Sequence, residues 1–198
     1  MMTNKALTNS MQYQIGLMVI LLLSSFMAPF ILLYPIQELL YRPQEYFLFE
    51  PFFQAYIILM AVLIAMAMLL LVNLLVTPQT EKGKYVKRGI LGAFLALAGA
   101  CSFLSINNYQ FMDTKGMHMN HFFSLQADVT SWQDIASVEQ INVKKNGVTV
   151  PDKLIFTLHD GSTIEQPFTS KLRNAKQSII SELGKYGLTI ENKFSEDE

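Results

Sequence analysis

Charge is scarce in this chain: 16% of its 198 residues are Asp, Glu, Lys or Arg, against 51% hydrophobic ones. The 15 basic and 16 acidic side chains leave a formal net charge of −1, which gives no electrostatic case for a nucleic-acid partner, and none is expected. Cysteine is nearly absent. Cys101 stands alone, cannot pair within its own chain, and says nothing about redox compartment. Three long apolar runs contain no charged residue at all, which argues against an ion or proton relay inside them. No set of residues has the spacing of a catalytic or cofactor motif, so neither an enzyme nor a cofactor is expected.

The apolar runs carry the first half of the chain: Ile15–Tyr34, Ala55–Val76 and Gly89–Ile106. A helix over the second would be ~33 Å long at ~1.5 Å per residue, enough for a hydrocarbon core of ~30 Å. Hydrocarbon offers no partner to an exposed N–H or C=O, so each run is expected as a transmembrane helix. Lys5 before an apolar run also fits a signal peptide, but Phe26 and Pro29 spoil the cleavage pattern at Ala28 and the run continues to Tyr34. An uncleaved span is expected, with a kink at Pro29 relieved by Ser24 and Ser25 and an exit at Pro35. The connector 37–54 is dense in Tyr and Phe, which predicts an aromatic belt at the membrane boundary. Asn73 is expected to bond a neighbouring helix. Gly92, Ala96 and Ala100 recur every four residues and predict a close-packing seam, with Met60, Met66 and Met68 as fillers.

Loop charge sets an orientation. Lys82, Lys84, Lys87 and Arg88 stand against Glu81 in the second connector, while the first has Arg42 against Glu45 and Glu50. The positive-inside rule predicts a multi-pass cell-membrane protein with a cytoplasmic N-terminus and an extracytoplasmic C-terminal domain.

Residues 107–198 hold 9 of the basic and 12 of the acidic residues, and the hydrophobic period changes from helical to alternating. Strands are expected at Tyr109–Met112, Met117–Leu125, Val129–Trp132, Ser137–Val143, Leu154–Leu158 and Thr163–Phe168, with turns at 113–116, 145–147 and 159–162. Thr169 or Ser170 caps a helix to about Tyr186 whose apolar face is Leu172, Ala175, Ile179, Leu183 and Tyr186. The predicted fold class is thus an α-helical membrane domain over 1–106, a small α+β domain over 107–190 and an acidic tail over 191–198.

The order Tyr109-x-Phe111, Gly116-Met117, Phe122-Phe123, Trp132-x-Asp134-Ile135-x-x-Val138, Leu154-x-Phe156-x-Leu158 and Asp160-Gly161 resembles the bacterial pleckstrin-homology-like (PH-like) domains. The resemblance implies a bent antiparallel barrel plugged by the C-terminal helix, with Trp132 and Ile135 in its core and Asp134 capping a turn. It carries no lipid recognition, since the first hairpin offers only Lys115 beside Asp113 where a phosphate cradle needs several cations.

Two clusters invite chemistry. Met117, His118, Met119 and His121, near Met112, are residue types that suit Cu(I), but strand alternation separates His118 from the others and Phe123 suggests core packing instead. His159, Asp160 and Ser162 sit side by side in one turn, whereas a triad converges from separate segments. The expected function is therefore a non-enzymatic membrane-anchored accessory or adaptor protein. Its partners would be the bilayer and another membrane or envelope protein or a second copy. The alternatives are an envelope metal (copper-type) or small-ligand sensor, or a transporter-associated subunit.

Overall fold

The computed structural model describes residues 2–145 and 147–195, with side chains from Met11 onward. Helix α1 runs Met2–Tyr41, α2 Phe53–Leu75 and α3 Glu81–Ile106, and all three are long and apolar enough to cross a membrane. Eight strands follow or intervene: β1 Leu48–Pro51, β2 Tyr109–Met112, β3 Gly116–Asn120, β4 Asp128–Ser131, β5 Ile135–Lys145, β6 Val148–Leu158, β7 Thr163–Pro167 and β8 Ile190–Phe194. Helix α4 spans Ser170–Gly184, and Trp132–Asp134 is one 3-10 turn.

The chain divides into two compact units, and neither is continuous. The helical unit comprises Met1–Arg42, Pro51–Tyr109 and His121–Leu125; the β unit comprises Pro43–Glu50, Gln110–Asn120 and Gln126–Glu198.

In the helical unit, α1 passes through both Pro29 and Pro35 and ends six residues beyond the expected exit. Contacts hold those last turns. Gln37 is fully buried and its Nε2 donates to the carbonyls of Ser105 (3.2 Å) and Asn108 (3.0 Å), and Tyr41 stacks on Tyr109. Ser24 and Ser25 donate to the carbonyls of Ile20 and Leu22, one turn back, and so bond their own helix upstream of the proline. Asn73 Nδ2 donates to Gln14 Oε1 of α1 at 3.3 Å. A polar side chain in an apolar bundle finds its partner on the neighbouring helix.

The β unit is built from two four-stranded sheets, ordered β1-β2-β3-β4 and β7-β6-β5-β8. Turn chemistry explains the hairpins. Asp113 Oδ1 accepts from the backbone N–H of Lys115 and Gly116 between β2 and β3. Gly161 supplies the positive φ (+84°) between β6 and β7 that other residues resist. The 145–147 turn includes Asn146, which lies outside the described residues. β5 pairs antiparallel with β6 and parallel with β8, so β8 returns beside β5 after α4. Ile190–Phe194 thus belongs to a sheet where a tail from Glu191 was expected; residues 196–198 of that acidic stretch lie outside the described residues.

One core fills the β unit: Leu48, Met112, Met117, Trp132, Ile135, Val138, Leu154, Phe156 and the inner face of α4 (Leu172, Ala175, Ile179, Leu183). Tyr186, expected on that face, falls beyond the helix end and is exposed. Thr169 caps α4, its Oγ1 accepting from Leu172 N at 3.1 Å.

The connector between α1 and α2 departs furthest from expectation. Leu48 and Phe49 are each only 2% exposed, and Phe47 packs on the β core against Trp132. Phe47 N donates to Met112 O and Phe52 N to Asn108 O, so β1 runs antiparallel to β2. An aromatic belt does not account for these residues. They are a strand of the β domain, supplied from between two helices.

Candidate functional site

The best-built polar site of the β unit lies where β1 reaches the N-terminus of α4. Thr169 there does two jobs with one hydroxyl: it accepts from Leu172 N and donates to Glu50 Oε1 at 2.6 Å. Lys171 Nζ donates to the carbonyl of Phe49 at 3.1 Å. Burial raises the pKa of Glu50 above the ordinary carboxylate value, opposed by the Thr169 hydrogen bond and the Lys171 charge. The arrangement clamps β1 to α4.

Buried amides tie the rest together. Gln110 on β2 and Gln166 on β7 exchange reciprocal bonds of 2.9 Å, joining the two sheets inside the domain. On β5, Gln140 Nε2 donates to Asn142 Oδ1 (2.8 Å) and its Oε1 accepts from Lys176 of α4 (2.6 Å), while Asn142 Nδ2 reaches Lys193 O of β8. A buried amide without partners is costly, so each closed set specifies one packing of strands and helix.

The sequence candidates fall in several places. Met117 lies in the core, and Met119 is buried with its Sδ 4.0 Å from Gln166 Nε2. His118 takes the opposite face of β3, stacked on Phe111 with its Nε2 3.1 Å from Asp113 Oδ1. β3 ends at Asn120, so the expected strand to Leu125 stops short and the alternation does not extend to His121. His121 belongs to the helical unit, where it stacks on Phe52. Phe123, expected as a core residue, is 88% exposed. Among the described residues no three His, Cys, Asp or Glu side chains stand close enough to share a metal.

Trp132 is fully buried, and its indole N–H donates to Asp113 O at 2.9 Å. Ile135 sits beside it in the core, and Asp134 Oδ2 accepts from Ser131 N. In the 159–162 turn the Ser162 hydroxyl donates to Asp160 at 2.6 Å, and this bond with that from Ser162 N lowers the Asp160 pKa. His159 is exposed, and its backbone N–H bonds Asp134 O. Gly92, Ala96 and Ala100 are all exposed, and a Cβ built at Gly92 meets nothing within 4 Å. The small-residue face of α3 is therefore not its seam with α2.

Glu50, Gln110, Gln140 and Gln166 had no signature in the sequence. The one available signal was a polar residue recurring inside an apolar alternation, as Gln110 does in Tyr-Gln-Phe-Met. No family model, curated protein or solved structure matches this chain.

Proposed function

We propose that the chain is a non-enzymatic membrane-anchored adaptor whose PH-like β domain binds another membrane or envelope protein, or a second copy of itself. The observation that carries this reading is β1. A domain that takes one strand from between two apolar helices and the rest from beyond a third cannot leave the membrane without losing a core strand. Its buried amides and the Glu50–Thr169 pair clamp strands and helix, as a scaffold requires. The succession β2-β3-β4, then β5-β6-β7, then α4 supports the PH-like assignment, with β1 and β8 as additions to each sheet. β4 is an edge strand with an exposed Val129, and β8 is an edge strand with an exposed Phe194; edges of this kind pair with other chains.

Crosslinking in native membranes followed by affinity purification tests the reading. A reproducible partner or dimer is expected, weakened by Val129→Lys or Phe194→Lys. Turnover of a substrate by the purified protein, or no reproducible product from crosslinked membranes, counts against it.

The same reading includes orientation. Because β1 and the chain beyond α3 build one domain, both lie on one side of the membrane, and α2 and α3 together make an even number of crossings. Loop charge favours the extracytoplasmic side for that domain. In a Cys101→Ala background, the exposed Gln133→Cys should react with an impermeant maleimide on intact cells once any outer membrane is opened. Labelling only after lysis reverses the orientation.

A further inference from the structure

The α2–α3 turn of the helical unit encloses a trough that the adaptor reading leaves unused. Leu69 and Val72 of α2, with Val76 just past its end, face Val86 and Ile90 of α3 across a hollow of about 500 Å³. A second hollow of about 360 Å³, lined by Lys84, Lys87 and Arg88, shares Asn73, Pro78, Lys87 and Leu91 with the first. The two are one trough with an apolar floor and a cationic mouth. Both volumes fall in the ~300–1,000 Å³ range of small-molecule sites.

The mouth is held in place by the end of α2. Lys87 Nζ donates to the carbonyls of Asn73 (2.7 Å) and Val76 (2.6 Å), which fixes the ammonium at the rim with one N–H left over. Lys84 is offset by Glu81 at 2.7 Å. Arg88 is exposed and makes no ion pair among the described residues. Among the described residues no carboxylate lines either hollow.

We propose that this trough binds an anionic glycerophospholipid, with one acyl chain along the apolar floor and the headgroup phosphate at Arg88 and Lys87. Charge complementarity selects this occupant. A zwitterionic lipid brings the same phosphate but sets a quaternary ammonium beside the rim cations and so offers them no net charge, and a free anion meets the rim but leaves the floor empty. A guanidinium fork matches phosphate oxygens in pairs, and basic pockets between membrane helices suit acidic headgroups. Neither the orientation nor the partner of the β domain enters this assignment.

Native mass spectrometry of the full chain released from detergent tests it, with phosphatidylglycerol and phosphatidylcholine offered at equal concentration. Phosphatidylglycerol should be retained preferentially, and Arg88→Gln should weaken its retention on the order of fivefold and narrow its preference over phosphatidylcholine. Arg88→Lys should keep most of the preference, and Val72→Trp, which fills the floor, should reduce occupancy by both lipids. Far-UV circular dichroism matching the wild type certifies each variant as folded. Equal retention of the two lipids, or unchanged binding in folded Val72→Trp, overturns the proposal. Displacement of phosphatidylglycerol by millimolar inorganic phosphate reassigns the rim to a free anion and overturns it as well.

Discussion

Leu23, Phe26 and Met27 of α1 are exposed, whereas Gln37 and Ser105 in the same unit are fully buried. In the β unit Trp132, Phe156 and Leu154 are fully buried, and Lys144, Asp160 and Glu191 lie outside. The two units are ordered by opposite rules. Water drives apolar surface inward in the β unit. Around the helices no such drive exists, because hydrocarbon solvates Leu and Phe as well as a protein interior does, and polar groups are what must be enclosed. The helical unit is held by bonds such as those of Gln37 and Asn73, and the β unit by a packed core that amide pairs only align.

That contrast is broken most severely at Trp132. Trp132→Ala should cost ~3–5 kcal/mol, a large share of the ~5–15 kcal/mol available to a small domain. Limited proteolysis should then cut the β unit while the helices still insert; an unchanged pattern would contradict a core position for Trp132. Gly116→Ala comes next. A Cβ there would clash with the Thr130 carbonyl, so β3 and β4 must part, at roughly 3 kcal/mol, the upper end for overpacking. A lowered urea midpoint for the β unit would register it, and an unchanged midpoint would refute the close approach.

Gln110→Leu sharpens the comparison. It leaves Gln166 buried without its partner, at ~1–3 kcal/mol, and adding Gln166→Leu should recover most of the loss. Gln37→Leu in the helical unit has no such rescue, because the acceptors it abandons are backbone carbonyls. If thermal melts show Gln37→Leu to be harmless, the two units are less different than they look.

The smallest effect is a pH dependence. Glu50 has a folded pKa above its unfolded value, so the folded state holds the proton more tightly. Its contribution is present in full below the unfolded value of about 4.5 and is lost as pH rises through the folded one. Glu50→Gln should flatten the melting temperature of the β unit across that interval. An identical slope in both proteins would assign the dependence to other groups.

Local signals were legible where structure is local. The β2–β3 hairpin announced itself by alternation around Asp113–Gly116, and α4 by its cap and apolar stripe. What failed was non-local. Leu48–Pro51 carries no mark of a strand because its partner lies beyond two further helices, and aromatic residues beside apolar runs read equally well as a belt. Alternation also misleads within β2, where Gln110 and Met112 face inward and Tyr109 and Phe111 are only half-buried. The reason is company: Phe111 covers His118, and Tyr109 stacks on Tyr41. The α2–α3 trough has no linear signature, since its floor exists only once two helices meet.

Strand β1 also sets a timetable for synthesis. Leu48–Pro51 leaves the ribosome before α2 and α3, and its neighbour β2 follows only after both. At ~5–20 residues per second the intervening stretch takes on the order of 3–12 s to make, during which an apolar strand waits without a sheet. Helix insertion therefore precedes completion of the β domain. A ribosome-stalled chain ending before β2 should present Leu48 and Phe49 to holdase chaperones, and one extended past β8 should not.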